Sequence, residues 1–389
     1  MAVKIVRQPN KIALLGAPTS AAAMSAGHEG APAALRAAGL IERLRMLGYE
    51  VADFGDDPLQ LFKLDNESPR ARNLPGVIAS IEALKPRVEQ AVKSCALPLI
   101  VGGDCSIAMA TVAGVRRYFR KVSMIYMDSD ADLNTPATTP SGCVDGMVVS
   151  HLTGRGAAEM VRFWGEPPLV REPDLALFGV ARLDPAEEQV LASSPLRRFL
   201  AADVQRVGAA AAARAAIDRI RGNAYQFILH LDVDVIADFA ATNYPGSGGL
   251  SLDEVREALL VFAQQRELAA FELTAYNPAK DADGTSGKLL VDLLADVLGS
   301  RLESLKPGDG ASASAPGAVA NMTLQNTEPA AAKNSAESQA ATVALGEAWS
   351  SDSLEESPDS GSDAEAGSDS PDSDPHAAGA TKESSESGS

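Results

Sequence analysis

Short apolar runs that end in Gly or Asp alternate with longer stretches of helical spacing, and this alternation constrains the chain more than any other feature. The runs are Ile12–Leu15, Glu50–Phe54, Leu97–Val101, Val122–Met127, Leu175–Phe178, Phe199–Val204, Phe227–Leu231 and Leu268–Leu273. Runs that are apolar throughout leave no face for water, so they suit strands covered on both sides by helices. The intervening helical patterns are Pro32–Leu47, Val77–Lys93, Ile107–Tyr118, Val207–Ile220, Leu252–Gln265 and Ser286–Leu298, with Ser251 and Asp253 as start signals. The expected fold class is α/β, a three-layer α/β/α arrangement around a mostly parallel sheet of about eight strands.

In open α/β sheets, ligands bind beyond the carboxyl ends of the strands. Polar clusters fall at those ends: Gly102-Gly103-Asp104-Cys105-Ser106 after the third run, Asp128 to Asn134 after the fourth, and Asp232-Val233-Asp234 closing the seventh. Asp128, Asp130 and Asp132 alternate, as do Asp232 and Asp234, and period-two geometry would start each set on one side. Five converging carboxylates would repel one another unless several were protonated or a cation lay among them. Solvated loops and helix caps are the alternative reading of one such motif, but two after buried strands favour metal. Oxygen donors at this density suit hard ions such as Mn²⁺ or Mg²⁺, and a pair of ions sharing carboxylates can generate a hydroxide nucleophile.

The 389 residues, 46% of them hydrophobic, support one large core and a segment outside it. From Lys306 onward, 15 acidic residues face 3 basic ones in a Ser/Ala/Gly/Pro-rich stretch. The expected organisation is a folded domain over 1–305 and a disordered acidic tail over 306–389. The tail accounts for −12 of the net charge of −18. Truncation after Leu305 is expected to leave the melting temperature nearly unchanged; a large drop in a thermal scan would contradict this. No basic stripe invites nucleic acid, and no run is apolar over the roughly 18 residues that a membrane span needs. Three scattered cysteines (Cys95, Cys105, Cys143) fit a reducing compartment, so a cytoplasmic protein is expected.

The motifs GGDCS, DSDADLNTP and HLDVD, together with Gly16-Ala17-Pro18, Asn243-Tyr244-Pro245, Gly248-Gly249-Leu250-Ser251 and Asn277-Pro278, resemble those of the arginase or ureohydrolase family, in the same order. The resemblance spans the whole of the expected folded domain. It implies a binuclear Mn²⁺ hydrolase cleaving a C–N bond of an amidine- or guanidine-type small substrate, and a homo-oligomer. Carried over by position, one ion would take Cys105, Asp128, Asp132 and Asp232, and the other Asp128, Asp130, Asp232 and Asp234. Cys105 and Asp130 stand where the family has histidines, so five carboxylates and a thiolate would exceed the charge of two divalent ions. A protonated Cys105, a single ion or none is the alternative to the pair. Cys105 also reads as a small buried residue.

Asn134, Thr139 and Ser141, with Asp184 and Glu187, match family positions that bind the amino-acid end of the substrate; turn formation and helix capping are their alternative roles. Asp145 stands where a proton-shuttling histidine is expected, and it could move protons only with a raised pKa. Ala275 replaces the glutamate that grips guanidinium, which makes arginine a poor candidate substrate. A catalytically silent oligomer with a binding or regulatory role is the second reading. Neither His151 nor His230 falls on a ligand position, and both are expected as satisfied core or supporting residues.

Overall fold

The computed structural model describes residues 5–221 and 226–306. The expected acidic tail, from 307 onward and including His376, lies outside the described residues. The strands are β1 (Lys11–Gly16), β2 (Glu50–Asp56), β3 (Leu97–Val101), β4 (Ser123–Met127), β5 (Leu175–Val180), β6 (Arg197–Leu200), β7 (Phe227–Asp232) and β8 (Leu268–Thr274). They form a sheet in the order β2-β1-β3-β8-β7-β4-β5-β6, and every pairing is parallel.

The helices are α1 (Ala31–Ala37), α2 (Leu40–Met46), α3 (Leu74–Lys93), α4 (Ile107–Arg116), α5 (Val148–Thr153), α6 (Ala158–Val161), α7 (Pro185–Ser193), α8 (Ala201–Val207), α9 (Ala209–Arg221), α10 (Leu252–Ala263) and α11 (Thr285–Leu305). Period-two alternation sorts the strand residues between two cores. Ile12, Leu14, Leu99, Ile125, Met127, Leu229 and Leu231 pack with α1, α2 and α8 to α11. Ala13, Leu15, Ile100, Met124, Tyr126 and Ile228 pack with α3 to α7 on the opposite face. This is the expected three-layer α/β/α fold, with a sheet that is wholly parallel.

Three local expectations differ from the structure. The pattern over 32–47 is two helices, because Gly39 at φ 88° breaks it between α1 and α2. The helix expected over 207–220 starts at Ala209, after α8, with Gly208 at φ 89° between them. The run Phe199–Val204 is a strand only to Leu200. Its remainder forms α8, since Ala201-Ala202-Asp203 favours helix once Val204 has a core to face. Ser251 does cap α10, its hydroxyl accepting from the Glu254 N–H at 3.3 Å.

Candidate metal centre

The four central strands, β3, β8, β7 and β4, end side by side, and the register pairs Val101 with Leu273, Leu231 with Leu273 and Met127 with Leu231. The loops that leave these ends carry the clustered acids. After β3 the chain turns on Gly102 and Gly103, both at positive φ. A Cβ at Gly103 would lie 2.7 Å from the Ala17 carbonyl oxygen, so the turn admits no side chain there. It delivers Cys105, 2% exposed, to the start of α4. Asp104, pushed up to about 6 mainly by burial, holds the neighbouring backbone through the Ala22 N–H at 2.9 Å.

After β4 the carboxylates do not follow the extended alternation expected of them. The Asp130 N–H turns back to Asp128 Oδ1 at 2.7 Å, and Asp132 adopts φ 51°. A tight loop, not a strand, therefore brings them together. After β7 the Asp234 N–H likewise donates to Asp232 Oδ1 at 2.7 Å. All six proposed donors, Cys105, Asp128, Asp130, Asp132, Asp232 and Asp234, line one cleft of about 290 Å³. Asn134, Thr139, Ser141, Asp145, Asp184 and Glu187 line the same cleft.

Six ionised groups so close together would repel one another, and either bound protons or a cation relieves that repulsion. Burial, and next the charge of Asp234, push the Asp128 carboxyl well above the ordinary range. Burial also leads at Asp132, followed by Asp145, and at Asp232, followed by Asp234. Asp234 rises to about 6, through burial and then Asp130. The Cys105 thiol is pushed up by burial and then by Asp232, and it donates to Asp232 Oδ2 at 2.9 Å. A proton thus bridges two atoms that an ion could join. Ligand atoms of Asp128, Asp232 and Asp234 lie within 4.8 Å of one another, as do those of Cys105, Asp128 and His230.

Several residues near the donors were given no role by the motifs. Arg182 reaches Asp130 with both prongs, Nε to Oδ1 at 2.9 Å and Nη2 to Oδ2 at 2.7 Å, and the same Nη2 donates to Asp234 Oδ2 at 2.5 Å. Burial pulls the Arg182 pKa down, but the bonds to Asp130 and the charge of Asp234 outweigh it and hold the pKa above its ordinary value. Tyr244 donates its hydroxyl to Asp145 Oδ2 at 2.9 Å, while Asp145 Oδ1 accepts the Cys105 N–H at 2.8 Å. Burial, and then the charge of Asp104, raise Asp145 to about 8.

His230 stacks on Tyr126 with ring centroids 4.1 Å apart, and its Nδ1 lies 2.9 Å from Glu272 Oε1. A signal for His230 existed: it stands two residues before Asp232 on the same strand, so the two share a face. Tyr126, whose hydroxyl donates to Asp132 Oδ2 at 2.5 Å, carried the same signal, two residues before Asp128. His151 is buried, but neither ring nitrogen has a partner, against the expectation of a satisfied core residue. Burial lowers it to about 4, so it sits there neutral.

The alternative local roles of the rim residues are also present. Thr139 Oγ1 accepts from the Gly142 N–H at 2.9 Å, and Ser141 Oγ from the Cys143 N–H at 3.1 Å. Glu187 accepts from the Asp184 N–H at 2.9 Å at the start of α7 and from the Leu133 N–H at 2.9 Å. Asn134 Nδ2 donates to Asp184 Oδ2 at 2.9 Å. Ala275 follows β8, fully buried at φ 64°, and is not among the residues that line the cleft.

Residues 10–299 match the Arginase family. The arginase of Bacillus caldovelox is 30% identical over 295 residues, which is 75% of this chain and 99% of that protein. The arginase of Bacillus subtilis (strain 168) is 30% identical over 292 residues, 75% of this chain and 98% of its own length. The solved structure of the Bacillus caldovelox arginase superposes with a TM-score of 0.69 at 29% identity, covering 75% of this chain and 98% of that one.

Proposed function

Because this chain belongs to the arginase family, we propose that it is a metal-dependent hydrolase cleaving a guanidine- or amidine-type C–N bond of a small amino-acid-like substrate. The observation that carries the reading is the meeting of six possible metal donors and a polar rim in one cleft. Cys105, Asp128, Asp132 and Asp232 suit a divalent ion, since Asp128, Asp132 and Asp232 are buried, mutually repelling carboxylates whose charges an ion among them would offset. A divalent ion bound there would supply Lewis-acid polarisation and make an attacking water more acidic.

The remaining work falls to the chain. Asp145, raised to about 8, holds a proton at neutral pH and faces the cleft, where it can hand that proton to a leaving amine. Tyr244 and the Cys105 N–H fix its two oxygens. Asn134, Thr139 and Ser141 would receive the amino-acid end of the substrate, with Asp184 and Glu187 near its amino group. The fold is proposed to run over 1–305, to work in the cytoplasm and to assemble as a homo-oligomer. Among the described residues no helix is long and apolar enough to cross a membrane.

The direct test is Mn²⁺-dependent release of urea or ammonia from a panel of guanidino and amidino acids. Absence of turnover across the panel with metal bound would overturn the reading. It would favour a catalytically silent binding protein, a reading supported by the Arg182 guanidinium lying across Asp130 and Asp234. For any substrate turned over, Asn134→Ala is expected to raise KM by about tenfold with kcat less affected, because a rim contact contributes to ground state and transition state alike. A kcat loss at unchanged KM would move Asn134 out of the binding role.

A further inference from the structure

The family resemblance implies two ion positions, and the residues of this chain fit only one of them. Asp130 and Asp234 are the donors that would serve the second ion alone. Both oxygens of Asp130 and Oδ2 of Asp234 are engaged by one guanidinium, with a single Nη2 bridging the two carboxylates at 2.7 and 2.5 Å. The seat is built from several directions. Arg182 Nη1 donates to the Tyr244 carbonyl at 2.8 Å, and the Arg182 backbone N–H donates to the Ser129 carbonyl at 2.9 Å. Gly246 leaves the room: a Cβ there would stand 2.8 Å from Nη1.

A guanidinium is permanently charged, and its planar fork matches a carboxylate in two-point contact. A divalent ion on the same oxygens would have to lie against that charge or expel it from all these contacts. The Asp130–Arg182 pair is moreover neutral as a unit. It cancels the extra negative charge that a carboxylate brings where the family has an uncharged imidazole. We infer that Arg182 is a built-in cation occupying the place of the second ion, so that the centre loads a single divalent ion on Cys105, Asp128, Asp132 and Asp232. The inference rests on the metal-dependent reading above and narrows it from two ions to one.

The test is manganese stoichiometry of the full chain after loading with excess Mn²⁺ and desalting, read by elemental analysis and by electron paramagnetic resonance. The parent is expected to hold about one ion per chain with the signal of an isolated Mn²⁺. Arg182→Met keeps the aliphatic stem and removes the guanidinium; it should double the stoichiometry and produce an exchange-coupled pair. Asp130→His removes the fork's partner and supplies a neutral donor, and it should do the same by an independent route. Circular dichroism melting establishes that each variant is folded. Two coupled ions in the parent, or about one in both folded variants, would overturn the inference while leaving a metal-dependent centre standing. A parent that binds no ion would overturn the inference and the metal-dependent reading together.

Discussion

Asp128→Ala or Asp232→Ala is expected to lower Mn²⁺ affinity by at least about a hundredfold, more than the loss of a supporting hydrogen bond to a ligand costs. Both are 2% exposed and lie at the crossing of the donor set. Asp128 belongs to both groups of converging ligand atoms, and Asp232 shares one oxygen with the Cys105 thiol and the other with the Asp234 N–H. Isothermal titration with Mn²⁺ measures the loss, and variants that bind as tightly as the parent would remove these residues from the centre. The metal-free protein offers an opposite sign. With no ion bound, Asp128 is a buried carboxylate repelled by Asp234, Asp132 and Asp232. Asp128→Asn keeps an acceptor for the Asp130 N–H and removes the charge. It should therefore melt higher than the metal-free parent while binding metal far more weakly, and a lower melting temperature would show that the carboxylate is not under strain.

The second large effect concerns substrate choice. Arginine turnover by the parent is expected to be weak or absent, and Ala275→Glu is expected to raise it by about 10- to 100-fold, the equivalent of a charge-assisted contact worth ~1.5–3 kcal/mol in the transition state. Position 275 follows directly on Thr274, whose hydroxyl lies 3.3 Å from Cys105 Sγ, and its N–H is fixed by the Gly103 carbonyl at 2.9 Å. A side chain added there starts on the loop after β8, between the β3 and β7 ends that carry Cys105 and Asp232, and has to extend from a buried position to reach the cleft. Alanine already holds the positive φ, so glutamate adds bulk to a buried position without introducing a new backbone strain. Urea release under saturating Mn²⁺, parent beside variant, decides the matter. Vigorous arginine hydrolysis by the parent would refute the expectation and imply that another carboxylate grips the guanidinium. Silence in both proteins, with metal bound, would favour the silent binding role.

Much of this molecule is written locally. Continuous apolar runs such as Leu97–Val101 and Phe227–Leu231 marked strands covered on both faces, and helical spacing marked the layers, because burial on a strand or helix follows from the character of neighbours in the chain. The same local logic put Asp128, Asp232 and Cys105 at the carboxyl ends of strands, where a parallel sheet directs its loops. It failed where two local tendencies compete, as at Phe199–Val204, and where one glycine divides a pattern, as at Gly39 and Gly208. The union of Arg182 with Asp130 and Asp234 spans 52 residues in each direction, and that of Tyr244 with Asp145 spans 99. Neither has any periodic signature. Such contacts depend on the strand order β3-β8-β7-β4 and on the paths of the loops beyond it, and no pattern of neighbours in the chain carries that information. The sequence by itself determined the layers and placed the candidate donors at the strand ends. Only the tertiary structure decided that a guanidinium of the chain lies among them, since charges far apart in sequence interact through the space that the folded sheet brings them to share.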